Sequence, residues 1–305
     1  MGTGPDLHEK LEVFERRRLD HMAGHGFRCA PQRLPGRSGE TYLMIGGEGT
    51  PSRLLIHGGL ADGSVWAPLA GLLEGRVVVA DRPGHGLSFR VDYRRVDDYR
   101  AAAAEWVRDV ADGLGEDRID LIGNSMGGFF AIAFAAAYPE RVRRLALLGY
   151  PAGLSKEAPL WFRLWGNPIA GQVIGRMKIK DVEHFRKAVL PPNVARPDRV
   201  SREQSEVEFL AGNLPNFDLT AHTMFGAVTT LRGWRTDQLL NSALLELEMP
   251  TLFVWGDKDA IAPPELGSSF ADKMVSGRLA VVPDAGHMPW MDQPEHVAQV
   301  LNEFL

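Results

Sequence analysis

A serine between two glycines, in the run Gly123-Asn124-Ser125-Met126-Gly127, constrains this chain more than any other feature. An apolar run ending at Ile122 precedes it, and a stretch rich in alanine and phenylalanine follows it. The pattern predicts a strand, a sharp turn and a helix, with Ser125 at the tip of the turn. Glycines at 123 and 127 carry no Cβ, so the strand and the helix can approach closely. Because a serine hydroxyl alone is a weak nucleophile, the motif also predicts a base and an acid elsewhere in the chain.

Two later segments offer these partners. His287 lies in the loop after a predicted strand, where an imidazole can lean over the sheet edge toward the serine. Asp257 and Asp259 both follow the preceding predicted strand, and Asp284 lies near the histidine. The residues alone leave the acid open among these three.

The order serine, aspartate, histidine along the chain resembles that of the α/β-hydrolase superfamily. The resemblance extends from about Thr41 to Leu305. The resemblance implies an α/β fold of the α/β-hydrolase type, a mostly parallel doubly wound sheet with an inserted helical lid domain. It also favours Asp259 as the acid, so the implied catalytic residues are Ser125, Asp259 and His287. The sequence features that carry the resemblance are His57-Gly58-Gly59, Asp81-Arg82-Pro83-Gly84-His85-Gly86, the serine motif, and Gly256-Asp257-Lys258-Asp259 with Gly286-His287.

A tetrahedral intermediate needs hydrogen-bond donors for its negative oxygen. The backbone N–H of Met126, directly after the serine at a helix N-terminus, is predicted to be one donor. The second is predicted to be the N–H of Gly59, with Leu60 as the alternative. His57 and His85 are predicted to hold their loops rather than to act as bases.

Predicted strands and helices alternate from residue 53 to residue 148 and again after residue 235, which favours a parallel sheet with helices on both faces. The series begins with a strand at Arg53–Ile56, a helix around Trp66–Leu73 and a strand at Val77–Ala80. Between the two alternating regions, prolines separate short predicted helices that are rich in large aromatic side chains. The predicted organisation is an N-terminal helical extension and the start of a hairpin (1–40), a first core part (41–150), a helical lid (151–235) and a second core part (236–305). Residues 1–26 are predicted to be a helix of unassigned role.

The aromatic side chains of the predicted lid are expected to form its own core and to present one face to the substrate. The predicted substrate-binding residues are Leu60, Trp161, Trp165, Phe225 and Met288.

Composition narrows the classes of function. The chain has 305 residues and a net charge of −5, so nothing favours a nucleic acid or an anionic membrane as a partner. One cysteine, Cys29, cannot form an internal disulfide, which is typical of a cytoplasmic protein. No apolar segment opens the chain or is long enough for a membrane span. No cofactor and no metal site are predicted, and a homo-oligomer remains possible.

The predicted function is hydrolysis of a small to medium apolar carboxylic ester, or a related acyl compound, through an acyl-enzyme. Two alternatives stay open. Gly-Asn-Ser-Met-Gly-Gly and Trp290 are similar to features of the C–C bond hydrolases of meta-cleavage dienones, although the loop His57 to Gly63 departs from that subgroup. The other is a non-catalytic module that binds a small ligand on the same scaffold.

Overall fold

The computed structural model describes residues 5–174, 179–215 and 217–305. The strands in this part of the chain include the predicted apolar runs of the core. They are β1 (Cys29–Gly36), β2 (Gly39–Gly46), β3 (Arg53–Ile56), β4 (Val77–Ala80), β5 (Ile119–Asn124), β6 (Val142–Leu148), β7 (Thr229–Thr230), β8 (Gly233–Trp234), β9 (Thr251–Gly256) and β10 (Gly277–Val282).

Eight of these strands form one sheet in the order β1-β2-β4-β3-β5-β6-β9-β10. The hairpin β1–β2 is antiparallel, and β2 pairs antiparallel with β4. All later pairings in this sheet are parallel. The predicted mostly parallel α/β sheet is therefore confirmed. Strands β3, β4 and β5 are buried along their whole length because helices cover both faces.

Helices fill the connections and cover the sheet. They are α1 (Pro5–Gly24), α2 (Ala67–Ala70), α3 (Tyr99–Gly113), α4 (Met126–Ala137), α5 (Leu160–Gly166), α6 (Pro168–Ile174), α7 (Val182–Ala188), α8 (Arg202–Gly212), α9 (Phe217–Val228), α10 (Asn241–Leu245), α11 (Pro264–Ala271), α12 (Pro289–Asp292) and α13 (Pro294–Phe304).

Helix α4 directly follows β5 and is apolar on every side. Its residues from Met126 to Ala135 are all buried. A helix without a polar face must lie inside the protein, and α4 packs between α3 and the sheet. This burial holds the N-terminus of α4, and with it Ser125, at the carboxyl edge of β5.

The parallel sheet is interrupted between β6 and β9 by the segment that the sequence predicts to be a lid. We call residues 151–235 the insertion. It contains the helices α5 to α9 and the small antiparallel hairpin β7–β8. The hairpin differs from the purely helical lid that the sequence predicts. It was missed because its strands have two residues each and carry no alternating pattern of apolar residues.

The predicted N-terminal helix is present as α1, and residues 1–4 of that prediction lie outside the described residues. Helix α1 packs against β1, α2 and helix α8 of the insertion. Arg18 and His21 on α1 are buried, with 0% and 1% of their surfaces exposed. The extension is therefore part of the folded body.

Candidate active site

Ser125 adopts an unusual backbone conformation at the end of β5, with φ of 51° and ψ of −114°. Positive φ is strained for a residue with a Cβ, and it persists only where the surroundings enforce it. Two glycines explain how they do so. A Cβ on Gly127 would lie 1.9 Å from the carbonyl oxygen of Ile56, and one on Gly123 would lie 2.7 Å from the carbonyl oxygen of Gly127. Tight packing of β3, β5 and α4 thus holds the serine at the tip of the turn.

His287 and Asp259 form a direct pair. The ring Nδ1 of His287 lies 2.9 Å from Oδ2 of Asp259, and both side chains are buried. The same carboxylate accepts hydrogen bonds from the N–H of Ile261 at 2.8 Å and of Tyr150 at 3.0 Å. Burial alone would raise the pKa of Asp259, but the electrostatic interaction and hydrogen bond with His287, together with the two backbone hydrogen bonds, outweigh it and lower the pKa. An ionised Asp259 holds the proton on Nδ1 and leaves Nε2 free to accept another.

The two other candidate acids have different partners. Asp257 accepts a hydrogen bond from the N–H of Ala285 at 3.2 Å. Asp284 is half exposed and forms ion pairs with Lys258 and Arg196. Of the three carboxylates that the sequence left open, Asp259 is the one in contact with the imidazole.

The loop of His287 also meets the turn that carries Ser125. Nδ2 of Asn124 donates hydrogen bonds to the carbonyl oxygens of Leu148, at 2.8 Å, and of His287, at 3.1 Å. A Cβ on Gly149 would lie 2.1 Å from the same oxygen of His287, so only glycine fits there. Within the described residues the Ser125 hydroxyl has no hydrogen-bond partner. Bonds between a nucleophile and its base are often long in the absence of substrate.

The predicted oxyanion residues Gly59 and Met126 lie close to each other at the turn of Ser125. A Cβ on Gly59 would lie 3.2 Å from Cγ of Met126, and one on Gly58 would lie 3.5 Å from Cβ of Ser125. In the described part of the chain, the N–H groups of Gly59, Leu60 and Met126 have no hydrogen-bond partner. Unpaired N–H groups beside a nucleophile are the donors that a developing oxyanion requires.

Arg82 holds the loop that contains Gly59. Its Nε donates to the carbonyl oxygen of His57 at 2.9 Å, and its Nη2 donates to that of Gly58 at 2.7 Å. The backbone N–H of Arg82 donates to Nε2 of His57 at 2.9 Å. Burial, and then the positive charge of Arg82, hold the pKa of His57 well below its usual value. His57 is thus a neutral hydrogen-bonding group of the loop.

His85 supports the same loop from the other side. Its Nε2 lies 2.8 Å from the carbonyl oxygen of Gly59, and its Nδ1 lies 3.0 Å from that of Pro83. Burial and the nearby Arg82 lower the pKa of His85 to about 3. Within the described residues neither His57 nor His85 is hydrogen-bonded to Ser125, in keeping with the structural roles that the sequence predicts for both.

The insertion covers the Gly59 loop through α9. A Cβ on Gly59 would lie 3.4 Å from Cε of Met224 and 3.8 Å from Cζ of Phe225. Phe225 is among the predicted substrate-binding residues, whereas Met224 was not predicted. Nothing in the sequence distinguishes Met224 from any other apolar residue of a lid helix.

The other predicted substrate-binding residues are placed differently. Trp161 and Trp165 contact the ring of Phe225, with centroid distances of 5.8 and 5.7 Å, and Trp161 is 40% exposed. Leu60 is partly buried. Met288 is 9% exposed, and its N–H donates to the carbonyl oxygen of Asn193 in the insertion at 2.8 Å.

A cavity of about 640 Å³ lies elsewhere, between the insertion and the segment that follows Tyr93. Arg163, His222 and Gln238 are among its lining residues, and none of the predicted site residues lines it. In the described residues no three His, Cys, Asp or Glu side chains are grouped to hold a metal ion. No helix of the described chain is long and apolar enough to cross a membrane.

Comparisons with known proteins agree with this geometry. A sequence model of the alpha/beta hydrolase fold matches residues 54–294. The chain is 30% identical over 282 residues to 2-hydroxymuconate semialdehyde hydrolase of Pseudomonas sp. (strain CF600), covering 87% of this chain and 90% of that protein. A thermophilic esterase from Thermogutta terrifontis is 27% identical with a TM-score of 0.69, over 90% of this chain and 97% of that one. A carboxylesterase from Bacillus subtilis has a TM-score of 0.71 at 20% identity, over 97% and 98% of the two chains, and this likeness shows the fold alone.

Proposed function

Because this chain belongs to the alpha/beta hydrolase family, we propose that it cleaves a small to medium apolar carboxylic ester through an acyl-enzyme on Ser125. The observation that carries this proposal is the hydrogen-bonded pair of His287 and Asp259 beside the strained turn of Ser125. The insertion is proposed to act as a lid, since Phe225 lies against the Gly59 loop.

The proposed reaction has two halves. The Ser125 hydroxyl attacks the ester carbonyl while Nε2 of His287 takes its proton, and Asp259 stabilises the resulting imidazolium. The N–H groups of Met126 and Gly59 bind the oxygen of the tetrahedral intermediate. The intermediate collapses to the acyl-enzyme, and His287 returns the proton to the leaving alcohol. Water activated by the same imidazole then releases the acid and restores the serine.

The charges beside the Gly59 loop favour a neutral substrate. Of the cations there, Arg82 donates to backbone carbonyl groups, and Arg18 is paired with Asp62 and Asp81. Both guanidinium groups are fully buried and held by these contacts, so neither is exposed to pair with a substrate carboxylate. The neighbouring side chains, Met224 and Phe225, are apolar.

A second candidate is C–C bond hydrolysis of a meta-cleavage dienone. The 30% identity to 2-hydroxymuconate semialdehyde hydrolase over 90% of that protein favours it. Trp290, which the sequence comparison with that subgroup singled out, does not add support. It is fully buried, stacks on Trp66 at 4.1 Å and donates to the carbonyl oxygen of Val65.

The acyl-enzyme is tested by rapid mixing with a p-nitrophenyl ester. We expect a burst of nitrophenol close to one equivalent per protein, and no burst from Ser125→Ala. Absence of a burst and of turnover in the wild type, with ligand affinity unchanged in Ser125→Ala, would indicate the non-catalytic binding module instead.

The bond that is cleaved is tested with two substrates side by side, a short-chain ester and a dienone meta-cleavage product. The proposal predicts a higher kcat/KM for the ester. A higher kcat/KM for the dienone would assign the protein to C–C hydrolysis.

A further inference from the structure

Helix α1, which lies ahead of the region matched by the family model, places one arginine inside the core. Arg18 is 0% exposed, as is Asp81, and Asp62 is 1% exposed. Nη1 of Arg18 donates to Oδ2 and Oδ1 of Asp81 at 2.7 and 2.9 Å, and to Oδ1 of Asp62 at 3.3 Å. Its guanidinium also lies over the rings of Phe14 and Tyr42, 4.9 and 4.5 Å from their centroids. The guanidinium is thus held through Nη1 and by the two rings, whereas its Nε and Nη2 are buried without a hydrogen-bond partner in the described residues.

The two carboxylates in turn fix the backbone just after Gly59. Asp81 accepts hydrogen bonds from the N–H groups of Gly63 at 2.9 Å and Leu87 at 2.8 Å. Asp62 accepts one from the N–H of Ser64 at 2.9 Å. Arg18 is the cation that compensates both acids.

Residues 57–63, which we call the oxyanion loop, are therefore held at both ends. Arg82 and His85 bind the carbonyl oxygens of its first half, including that of Gly59. The Arg18 cluster binds its second half at Asp62 and Gly63. Since only Leu60 and Ala61 separate these anchors, a shift at Asp62 is transmitted to Gly59 and its neighbour.

Loss of Arg18 would leave two carboxylates buried close together without a cation. An uncompensated buried charge is strongly unfavourable, so the carboxylates must take up a proton or move toward water. Either change alters the hydrogen bonds of Asp62 and Asp81 to the loop.

We propose that Arg18 is a positioning residue for the oxyanion hole, acting through Asp62 and Asp81 on the conformation of the oxyanion loop. This inference rests on the proposed function, because it assigns the Gly59 N–H to the oxygen of the tetrahedral intermediate. Helix α1 thus contributes to the proposed catalytic site indirectly, through Asp62 and Asp81.

The test compares Arg18→Met and Arg18→Lys with the control Arg17→Met. Arg17 is the preceding residue on the same helix, is half exposed and contacts Glu206 at 3.4 Å. The burst amplitude with a p-nitrophenyl ester gives the fraction of active sites, so that kcat is expressed per active site. KM is measured on the same samples. The inhibition constant of a trifluoromethyl ketone, which forms a tetrahedral oxyanion on the serine, is measured on them as well.

For Arg18→Met we expect kcat per active site to fall about tenfold to a hundredfold, less than the roughly 10²–10³-fold loss on deletion of an oxyanion donor. The inhibition constant of the trifluoromethyl ketone should rise by a similar factor, while KM changes little. Arg18→Lys keeps the charge and should show a smaller change of the same kind. In the double variant Arg18→Met/Asp62→Asn, removal of one carboxylate should restore part of kcat.

A merely structural role predicts something different. The active fraction and the melting temperature would fall, while kcat per active site and the inhibition constant stayed at wild-type values, and this result would overturn the inference. If Arg18→Met does not fold, the same comparison is made with Arg18→Lys. Wild-type kinetics in that variant contradict the inference but leave the proposed function intact, whereas failure of the wild type to give a burst contradicts the proposed function itself.

Discussion

At the scale of single residues, the proposed chemistry depends on which nitrogen of His287 carries the proton. Asp259 contacts Nδ1 at 2.9 Å and is itself held by two backbone N–H groups. The carboxylate therefore selects the tautomer whose Nε2 can accept the serine proton.

Asp259→Asn should lower kcat by about 10⁴-fold, because an amide can donate to Nδ1 and favour the wrong tautomer. The matched control is Asp257→Asn, two residues earlier, whose carboxylate binds the N–H of Ala285 rather than the imidazole. We expect the control to keep activity within a few-fold of the wild type. Steady-state ester hydrolysis measures both, and an equal loss in the two variants would show that the acid has been misassigned.

Glu208, on the insertion helix α8, gives a pH dependence of stability. Burial raises the pKa of Glu208 to about 8. A hydrogen bond from Gln204 opposes this shift, and the nearby charge of Asp62 adds to it. The unfolded value is about 4.3. Between these values the folded state keeps a proton that the unfolded state loses, so stability falls as pH rises, by up to about 1.4 kcal/mol per unit.

Glu208→Gln should remove this slope. Urea unfolding at pH 5, 6, 7 and 8 should show the free energy of unfolding of the wild type falling relative to that of the variant. Glu206→Gln on the same helix is the control, since Glu206 lies at the surface with Arg17 and Arg202, and it should keep the wild-type slope. A wild-type slope in Glu208→Gln would contradict the assignment.

Sequence reasoning succeeds for single residues where a motif fixes the backbone, and it fails where only packing decides. Ser125 is marked by its glycines. Asp259 could not be separated from two nearby aspartates on physical grounds, because contact with an imidazole 28 residues later depends on the pairing of β9 with β10. Met224 and Arg18 carried no signal at all, since each reaches the oxyanion loop from a distant helix.

At the scale of elements, the turn between β5 and α4 tolerates only glycine at its close contacts. Gly127→Ala should prevent correct folding or lower the melting temperature severely, because a Cβ would lie 1.9 Å from a backbone oxygen that cannot move. The control is Gly212→Ala at the end of α8, where a Cβ meets no atom within 4 Å. Calorimetry should show the control melting within a few degrees of the wild type. A normal melting temperature for Gly127→Ala would contradict this account of the turn.

The bounds of β3 and β4 were predictable because each is a short apolar run between turn signals, whereas β5 continues past its apolar run to Asn124. The structure places β3 and β4 at the residues that the sequence predicts. The predicted helix from Trp66 to Leu73 is instead a 3-10 turn followed by the four-residue α2. Gly71 explains the early end, since its Cα lies against the backbone that follows α1, where a Cβ would come within 2.5 Å of the carbonyl oxygen of His25. That contact is long-range and leaves no trace in the local sequence.

At the scale of the whole molecule, the insertion and the sheet share one apolar core around Phe225. This ring is 0% exposed and lies 4.5 Å from the ring of Phe162 and 5.7 Å from that of Trp165. Phe225→Ala should therefore lower the free energy of unfolding by about 3–5 kcal/mol. Leu160→Ala, also in the insertion but at a position 60% exposed, should change it by less than about 0.5 kcal/mol. Denaturant titration of both variants checks this, and similar values for the two would mean that the insertion does not pack as described.

The α/β-hydrolase fold was predictable through the family resemblance, not through periodicity. The alternation of strands and helices indicates a parallel sheet, but it does not say which strands are neighbours. Equally, nothing in the amphipathic pattern of the N-terminal helix indicates that it joins the sheet to the insertion. His21 makes that connection by a 2.6 Å hydrogen bond to Gln204 of α8.

The strand order also separates the reacting groups mechanically. Asp259 and His287 follow β9 and β10, which are bonded to each other, whereas Ser125 follows β5, two positions away across β6. The acid and the imidazole are thus joined through one strand pair, whereas the imidazole is connected to the serine by way of β6 and the hydrogen bond from Asn124 to the carbonyl oxygen of His287. Warmth or dilute urea, well short of melting, should loosen this longer connection first, so that turnover fades while the secondary structure is still whole.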